Sequence, residues 1–585
     1  MRKFLVSVCL LLIFYIRLFS QNTTLLSDSI DLNNTTLINL NNFSMWVRSD
    51  GVIGRSPGYK SSTVYPKGTA EVVIADGFAW AGFFYDSYSP ALRAGGSLYT
   101  SSLRPGKILP NGIAEKINYP ARTVWNIRKD WEKADLSMDA KILFNISNRS
   151  PYEEEIYKIR AVYQDSWENW PWQKGAPFYD INRNGIMDEG EKPGLYDADQ
   201  VVWFVCNDVE DTEYRLFGSP GSGIELQVTL WAYNREGETL AESLNQTIFR
   251  RYRFIYKGTI NTPDSASIDS MFISMWSDCD IGDYTDDYVG CDTLLDLMFG
   301  YNSTAKDKEF EKYGLMPPAI GYTLLQGPAV FTGNKNDKIL YDSYFKKGYR
   351  SIGMTSFTPI IGEGTGLQPD IVRYANTWYN CANSLNPFSG TPVLDAQGNP
   401  DHFPFSDDPF TKNKDIDGII MPAGERRMMF HSGPFKMSVG DTQDVVLATI
   451  GGIGSDNLES VSVMKYWTKW VRCFYKNELW KDLDKPDQER PSIIPTHFAL
   501  IQNFPNPFNS KTIITFLLSQ PQNIKLCVYN SAGQLVKELI SNKFFPSGKH
   551  KVQFDARNLP SGIYFYHLSV QGSGKSRTGK MVLVR

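Results

Sequence analysis

Short apolar runs, most of them alternating with polar residues and each ended by Gly, Pro, Asn or Asp, recur along this 585-residue chain. A period of two is typical of β-strands, because successive side chains of a strand point to opposite faces of a sheet. The clearest runs before residue 480 are 70–75, 226–232, 248–256, 271–276 and 445–450. Aromatic residues make up 14% of the sequence and also favour strands. The pattern predicts a mainly β protein whose body is a large, antiparallel, β-sandwich-type unit.

Residues 456–480 show the longer period of an α-helix. Their apolar residues recur at intervals of three and four, namely Leu458, Val461, Met464, Trp467, Val471 and Phe474. Asp456 can cap the first turn, and Glu459 stands three residues later, as in a capping box. We expect one amphipathic helix here, with its aromatic stripe packed on the body.

The first 20 residues have the layout of a secretory signal peptide. Arg2 and Lys3 precede an apolar segment, 4–16, that is shorter than the roughly 20 residues needed to span a bilayer. We expect cleavage after Ser20 and find no other stretch long and apolar enough to cross a membrane. Residues 22–44, rich in Asn, Thr and Leu, are predicted to form a loose N-terminus.

Charge and cysteine content restrict the possible partners. The net charge is −4 and no long basic run occurs, which argues against nucleic acid as the main partner. The cysteines after the signal are Cys206, Cys279, Cys291, Cys381, Cys473 and Cys527. They include no CxxC pair, so no zinc site is indicated. Export permits disulfides, and Cys279 and Cys291 lie nearest in sequence.

The last 88 residues, 498–585, form a series of short strand patterns. These patterns cover 512–517, 524–529, 534–539, 551–554, 563–570 and 581–584. Asn530 to Gly533 reads as the turn of a hairpin, because Gly tolerates a positive φ. Regular short strands separated by turn residues predict a C-terminal β-sandwich.

This tail resembles the type A C-terminal sorting domain of the type IX secretion system, which is similar to Ig-like domains of flagellar hook-capping proteins. The motif residues that carry the resemblance are Asn503, Pro505, Asn506, Pro507, Phe508, Asn509, Gly533, Gly562 and Tyr564. The family often has Pro where this chain has Ser510. The resemblance implies an Ig-like fold and passage across the outer membrane through the type IX machinery. It also implies removal of the tail, then release or attachment to surface polysaccharide.

These features divide the chain into a signal peptide (1–20), a β-rich body (21–480), a charged, Pro-bearing linker (481–497) and the sorting domain (498–585). The body resembles a group of secreted proteins of unknown activity that share this tail. The shared pieces are 167–171, 175–178, 198–200, 280–282, 286–292 and 422–427. Within the last piece, Glu425, Arg426 and Arg427 are expected to form an ion-pair group at the surface.

Residues 180–191 fit a twelve-residue calcium loop position by position. Its ligand residues would be Asp180, Asn182, Asn184, Ile186 through its carbonyl, Asp188 and Glu191. Gly185 stands at the sixth position, where the sharp turn requires it. Prolines flank the loop, so the segment is similar to a dockerin-type loop rather than to a complete EF-hand. The sequence predicts a structural calcium ion, and the alternative is an Asx-rich surface turn.

A second acidic cluster consists of Asp278, Asp280, Asp283, Asp286, Asp287 and Asp292. Six carboxylates within fifteen residues repel one another unless they are solvated or bound to a cation. Their spacing fits no standard loop, so a second metal site and a solvated acidic loop are both open.

Motifs for nucleophilic or metal-dependent catalysis, such as HExxH, GxSxG and the P-loop, do not occur in the sequence. The sequence therefore favours a non-enzymatic module for adhesion, glycan binding or surface structure. The alternative is a secreted polysaccharide hydrolase with a carboxylate pair, for which Glu168, between Trp167 and Trp170, is one place to look.

Overall fold

The computed structural model describes residues 31–209, 216–341, 344–362, 374–411, 415–419, 421–476 and 493–585. The predicted signal peptide and residues 481–492 of the predicted linker lie outside these ranges. Strands account for 41% and helices for 14% of the described residues, which confirms the mainly β class.

The strands of the body are β1 (Thr35–Ile38), β2 (Met45–Arg48), β3 (Thr63–Val64), β4 (Glu71–Val73), β5 (Ala75–Tyr85), β6 (Leu92–Gly96), β7 (Arg104–Pro105), β8 (Val124–Arg128), β9 (Gln200–Asn207), β10 (Ile224–Ala232), β11 (Thr247–Tyr256), β12 (Ser267–Asp278), β13 (Asp287–Asp292), β14 (Leu297–Asn302), β15 (Ala319–Gln326), β16 (Ala329–Phe331), β17 (Lys338–Tyr341), β18 (Tyr344–Lys347), β19 (Tyr349–Ser351), β20 (Ser356–Ile361), β21 (Arg426–Ser438) and β22 (Thr442–Gly452). Those of the tail are β23 (Ala499–Phe504), β24 (Lys511–Leu518), β25 (Gln522–Asn530), β26 (Leu535–Phe545), β27 (Gly548–Asp555), β28 (Gly562–Val570) and β29 (Ser576–Leu583). The helices are α1 (Ser137–Leu143), α2 (Glu153–Glu168), α3 (Thr239–Asn245), α4 (Lys308–Glu311), α5 (Ala375–Ala382) and α6 (Asn457–Lys476). All the strand patterns recognised in the sequence are present.

Two antiparallel sheets face each other in the body. The larger has the order β13-β14-β15-β22-β11-β10-β9-β7, with β8 also paired to β9, and the smaller has the order β20-β21-β12-β5-β6. Their inner faces share one core, in which the ring of Phe78 stacks on that of Tyr252 with centroids 3.9 Å apart. The body is therefore a sandwich, as the strand pattern predicted.

Helices cover the outer faces, so both faces of the central strands are buried. Val202 and Phe204 of β9 point into the shared core, whereas Val201 and Trp203 point outward into a second cluster with α6. Across the smaller sheet, Trp378 of α5 packs near residues of β5, β12 and β21. This double burial explains why several strands read as nearly continuous apolar runs.

The predicted helix at 456–480 is confirmed as α6, and residues 477–480 lie outside the described part of the chain. Asp456 caps it by accepting a hydrogen bond from the backbone N–H of Glu459 at 2.7 Å. The expectation of one helix was incomplete, because the described residues contain six. The longest of the additional helices, α2, carries Ile156, Ile159 and Tyr163 at helical spacing, a signal that its charged neighbours conceal.

The loose N-terminus expected over 22–44 is wrong from residue 35 onward, where β1 pairs with β2 and is buried. Its asparagines bond to the body instead of to solvent. The Asn41 side chain donates to the Thr247 carbonyl at 2.8 Å, and that of Asn42 donates to Gln246 at 2.9 Å. These long-range hydrogen bonds could not be foreseen from a polar composition.

The tail is a separate pair of antiparallel sheets with the orders β23-β24-β27 and β26-β25-β28-β29 around one core. It packs on α6, because Ala499 and Leu517 belong to the apolar cluster of that helix. Each cysteine named above is a free thiol, so Cys279 and Cys291 form no disulfide. Among the described helices, none combines the length and the apolar character needed to cross a bilayer.

Candidate functional site

The loop 180–191 projects from a short antiparallel bridge between Phe178 and Pro193. The Tyr179 N–H donates to the Lys192 carbonyl at 2.9 Å, which closes the base of the loop. The indole N–H of Trp170 donates to the Pro177 carbonyl at 2.7 Å and ties this base to the apolar cluster beneath it. The loop is thus exposed, whereas its base is fixed to the body.

Inside the loop, the predicted ligand side chains point toward one another. Asp180 accepts from the backbone N–H groups of Asn184 at 3.0 Å and Gly185 at 2.8 Å. Asp188 Oδ2 accepts from the side-chain amides of both Asn182 and Asn184, each at 2.8 Å.

The two ends of the loop are joined by its last acidic residue. Glu191 accepts from the N–H groups of Ile181 at 2.7 Å and Asp188 at 3.0 Å. Ile186 follows the turn and donates its N–H to Asn184 Oδ1 at 2.7 Å. Three carboxylates and two amides therefore line one tight turn, and this oxygen-rich donor set suits Ca²⁺.

Backbone conformation also supports the sharp turn that the sequence predicted. Gly185 has φ of 75°, and a Cβ built there would meet no atom within 4 Å. Arg183 adopts φ of 61°, which is uncommon for a residue with a side chain. Arg183 therefore accepts backbone strain that keeps the loop closed, whereas Gly185 adopts its conformation without strain.

The second acidic cluster divides in the structure. Asp278 and Asp280 lie together with Glu425, and one oxygen of each falls within 4.8 Å of the other two. The strand register explains why these three residues lie together. Asp278 of β12 pairs with Arg427 of β21, and continuing this antiparallel register by two residues places Asp280 opposite Glu425. Sequence reasoning listed the two aspartates but missed Glu425, which lies some 145 positions further along.

Asp278 is buried and Asp280 and Glu425 are half-buried, which governs the protonation of this group. The Tyr99 hydroxyl bonds to Asp278, and Arg427 Nη2 pairs with Glu425 at 2.6 Å. Burial, followed by repulsion from Asp278 and Glu425, raises the pKa of Asp280 to about 9. Burial also raises the pKa of Asp278 to about 7, although the positive charge of Arg427 opposes the rise.

The other four aspartates have separate local partners. Asp283 pairs with Lys308 at 2.6 Å, and Asp292 pairs with Lys465 at 3.0 Å. Asp286 accepts from the Asn302 side chain at 3.0 Å. Asp287 is fully buried and accepts from the Ile281 N–H at 3.0 Å. Of the six predicted residues, only Asp278 and Asp280 belong to the group whose oxygens lie within 4.8 Å of one another.

The ion-pair group expected at the surface is mostly buried. Arg426 makes two hydrogen bonds to Asp417, at 2.7 and 3.0 Å, and both side chains are buried. Arg427 is likewise buried beside Tyr99, with 2.6 Å between Arg427 Nε and the Tyr99 hydroxyl. Two adjacent arginines can both be buried because each has its own acidic partner.

The sorting-motif residues hold the last strand of the tail in place. Asn506 Oδ1 accepts from the Val582 N–H at 2.8 Å, and the Phe508 N–H donates to the Val582 carbonyl at 2.9 Å. Asn503 is buried and donates to Thr512 Oγ1 at 2.9 Å and to the Pro505 carbonyl at 3.2 Å. The motif therefore joins the start of the tail to β29.

The remaining motif residues shape turns and close the core. Pro507 and Asn509 flank the buried Phe508 ring and are exposed. Gly533 has φ of 77° in the predicted hairpin turn. Gly562 begins β28, and the Tyr564 hydroxyl donates to the Pro560 carbonyl at 2.8 Å. These contacts indicate that the motif residues stabilise the β-sandwich of the tail.

Comparison with known proteins identifies the tail. Residues 502–584 match the family described as the secretion system C-terminal sorting domain, so the predicted type IX sorting tail is confirmed. The match indicates secretion to the cell surface or the extracellular space and an interaction with the type IX machinery. No curated protein matches this chain.

Among solved structures, the chain is similar to a polysaccharide lyase at 8% identity and a TM-score of 0.17. The likeness covers 63% of this chain and 36% of the lyase. At that TM-score it supports no statement about the fold or activity of the body.

Proposed function

We propose that this protein, delivered outside the cell by its type IX sorting tail, carries a calcium-stabilised, non-enzymatic body for binding or adhesion. The observation behind the calcium is the closed loop 180–191, in which five predicted ligand side chains already face one another. An exported protein meets calcium at concentrations that suit extracellular sites with dissociation constants of about 10⁻⁴ to 10⁻³ M.

The ion would have a structural role. The loop lies in the connection between α2 and β9, and its Met187 side chain packs partly on the cluster around α6. A cation held by Asp180, Asp188 and Glu191 would offset the repulsion between three carboxylates in one small turn. It would thereby fix the connection against the nine-stranded sheet.

Calorimetric titration of the full chain with Ca²⁺ tests this proposal. We expect heat that saturates in the micromolar-to-millimolar range and a raised melting temperature. Asp180→Ala should abolish both effects. Asp395→Ala is the matched control, because Asp395 accepts from the N–H groups of Gln397 and Asn399, both at 2.8 Å, in an exposed turn without the calcium pattern. Absence of heat in the unaltered chain would refute the calcium site.

One observation favours the alternative of a polysaccharide hydrolase. Asp280 is a partly exposed carboxyl with a pKa raised to about 9 by burial, and a neutral carboxyl near Asp278 resembles a general acid. Glu168 lies instead at the exposed end of α2 and accepts from Gln164 at 2.8 Å. Release of reducing ends from polysaccharides, abolished by Asp280→Asn, would establish the hydrolase and replace the binding module.

A further inference from the structure

A cavity of about 540 Å³ opens beside the C-terminal end of α6, between β15, the hairpin β17–β18 and β19. Its floor includes Leu324, Gln326 and Tyr475. Its rim includes Lys338, Phe345, Tyr349, Arg350 and Lys476. The volume is within the range of sites for small organic groups.

The floor is rigid because its polar atoms are bonded to one another. Gln326 accepts from the Leu340 N–H at 2.8 Å and donates to the Leu340 carbonyl at 3.0 Å. Arg472 donates to the Leu324 carbonyl and to Asp296, both at 2.8 Å. The cavity is therefore formed before any ligand arrives, which lowers the entropic cost of binding.

The rim is cationic. The side chains of Arg350 and Lys476 are exposed and make no hydrogen bond or ion pair with any residue that the structure describes. Of the two lining carboxylates, Asp296 is paired with Arg472, and Asp337 accepts from the Thr332 hydroxyl at 2.7 Å. Unpaired cations around a concave surface attract anionic groups and bind them through charge-assisted hydrogen bonds.

Aromatic rings lie beside these cations. Tyr349 meets Phe331 edge to face with centroids 5.3 Å apart, and Phe331 is 73% exposed. Lys346 lies 4.0 Å above the Tyr349 ring, and Lys338 lies 4.1 Å above the Phe345 ring. Phe331 does not line the cavity itself, but its exposed ring lies beside the Tyr349 ring of the rim and offers an apolar face to a ligand.

We propose that this cavity binds an acidic polysaccharide, with its carboxylate or sulfate groups at Arg350 and Lys476 and a sugar ring against Phe331 and Tyr349. This inference rests on the proposed binding function and names its ligand class. A sugar ring presents C–H groups that pack on aromatic faces, while its anionic substituents satisfy the cations. Nucleic acid fits less well, because the chain has a net charge of −4 and the cationic rim is confined to one cavity.

The test is equilibrium binding of the full chain to chondroitin sulfate, to dextran sulfate and to uncharged dextran at one fixed, low salt concentration. We expect both acidic polymers to bind and dextran not to bind. Combining Arg350→Ala with Lys476→Ala should weaken binding by about a hundredfold, at roughly tenfold for each charge-assisted contact. Phe331→Ser should weaken binding several-fold. Arg350→Lys keeps the positive charge, so this variant should bind nearly as tightly as the unaltered chain.

Arg104→Ala is the matched control, since Arg104 is an exposed strand arginine that does not line the cavity. All substituted residues lie at the surface, so melting temperatures should stay unchanged. The inference would be overturned if the unaltered chain bound neither acidic polymer, or if the double variant bound them as tightly as the unaltered chain does. It would also be overturned if dextran bound as tightly as the acidic polymers, or if duplex DNA bound more tightly. The calcium titration does not involve this cavity, so the two proposals can fail separately.

Discussion

A buried ion pair between the two sheets of the body makes a sharp test of the fold. Arg250 of β11 and Asp76 of β5 pair across the core, and both side chains are almost completely buried. The Tyr322 hydroxyl donates to Asp76 at 2.8 Å and accepts from Ser277 Oγ at 3.0 Å. Removal of either charge leaves the other without its partner in an apolar interior.

The expected magnitudes follow from this burial. Asp76→Ala should lower the free energy of unfolding by about 3 to 5 kcal/mol, and Arg250→Met should lower it by a similar ~3 to 5 kcal/mol. The double variant leaves no lone charge, so it should cost at least about 2 kcal/mol less than the sum of the two single changes. Tyr322→Phe removes one neutral donor and should cost about 1 kcal/mol.

Urea unfolding followed by tryptophan fluorescence measures these values. All 14 Trp residues precede residue 481, so the signal reports the body and not the tail. Additive single changes, or an effect of Asp76→Ala below about 1 kcal/mol, would show that solvent reaches the pair and would refute the reasoning.

Three further predictions concern other regions. Burial lowers the pKa of His431 to about 3. Below about pH 6.5 the unfolded chain therefore takes up a proton at this residue, whereas the native chain does not. As the pH falls from 6.5 to 4, the free energy of unfolding should decrease by up to ~1.4 kcal/mol per pH unit. His431→Gln should remove this slope between pH 6.5 and 4, and an unchanged slope would contradict the assignment. Glu459 of α6 is buried, pairs with Arg577 of the tail and accepts a hydrogen bond from the Leu500 N–H at 2.9 Å. Arg577→Ala should therefore speed the hydrogen exchange of the Leu500 amide. The control Lys575→Ala should leave that exchange rate unchanged. Phe504 is 73% exposed and lies opposite Ile513 in the tail, where it could contact the secretion machinery. Phe504→Ser should therefore reduce the exported fraction of the protein without lowering its melting temperature. Normal export of this variant would count against such a contact.

Features of the fold that depend on neighbouring residues were predictable from the sequence. The stripe from Leu458 to Phe474 specifies α6, because its spacing is set within the helix. The tail strands are similarly specified by alternation and by turn residues such as Gly533. The predicted ligand residues of the loop 180–191 are also neighbours in the chain, so the convergence of their side chains was predictable from the sequence.

Sites that depend on strand order could not be predicted in this way. Asp280 meets Glu425 only because β12 pairs with β21, and this pairing joins segments separated by much of the body. The cationic cavity likewise takes Lys338, Arg350 and Lys476 from three elements, β17, β19 and α6, and each of these cations by itself is an ordinary exposed residue. An exposed lysine at the end of a helix normally offsets the helix dipole. Lys476 belongs to the proposed binding surface because the hairpin β17–β18 and β19 pack beside α6. Recognition of a ligand there would depend on this packing and not on any local motif.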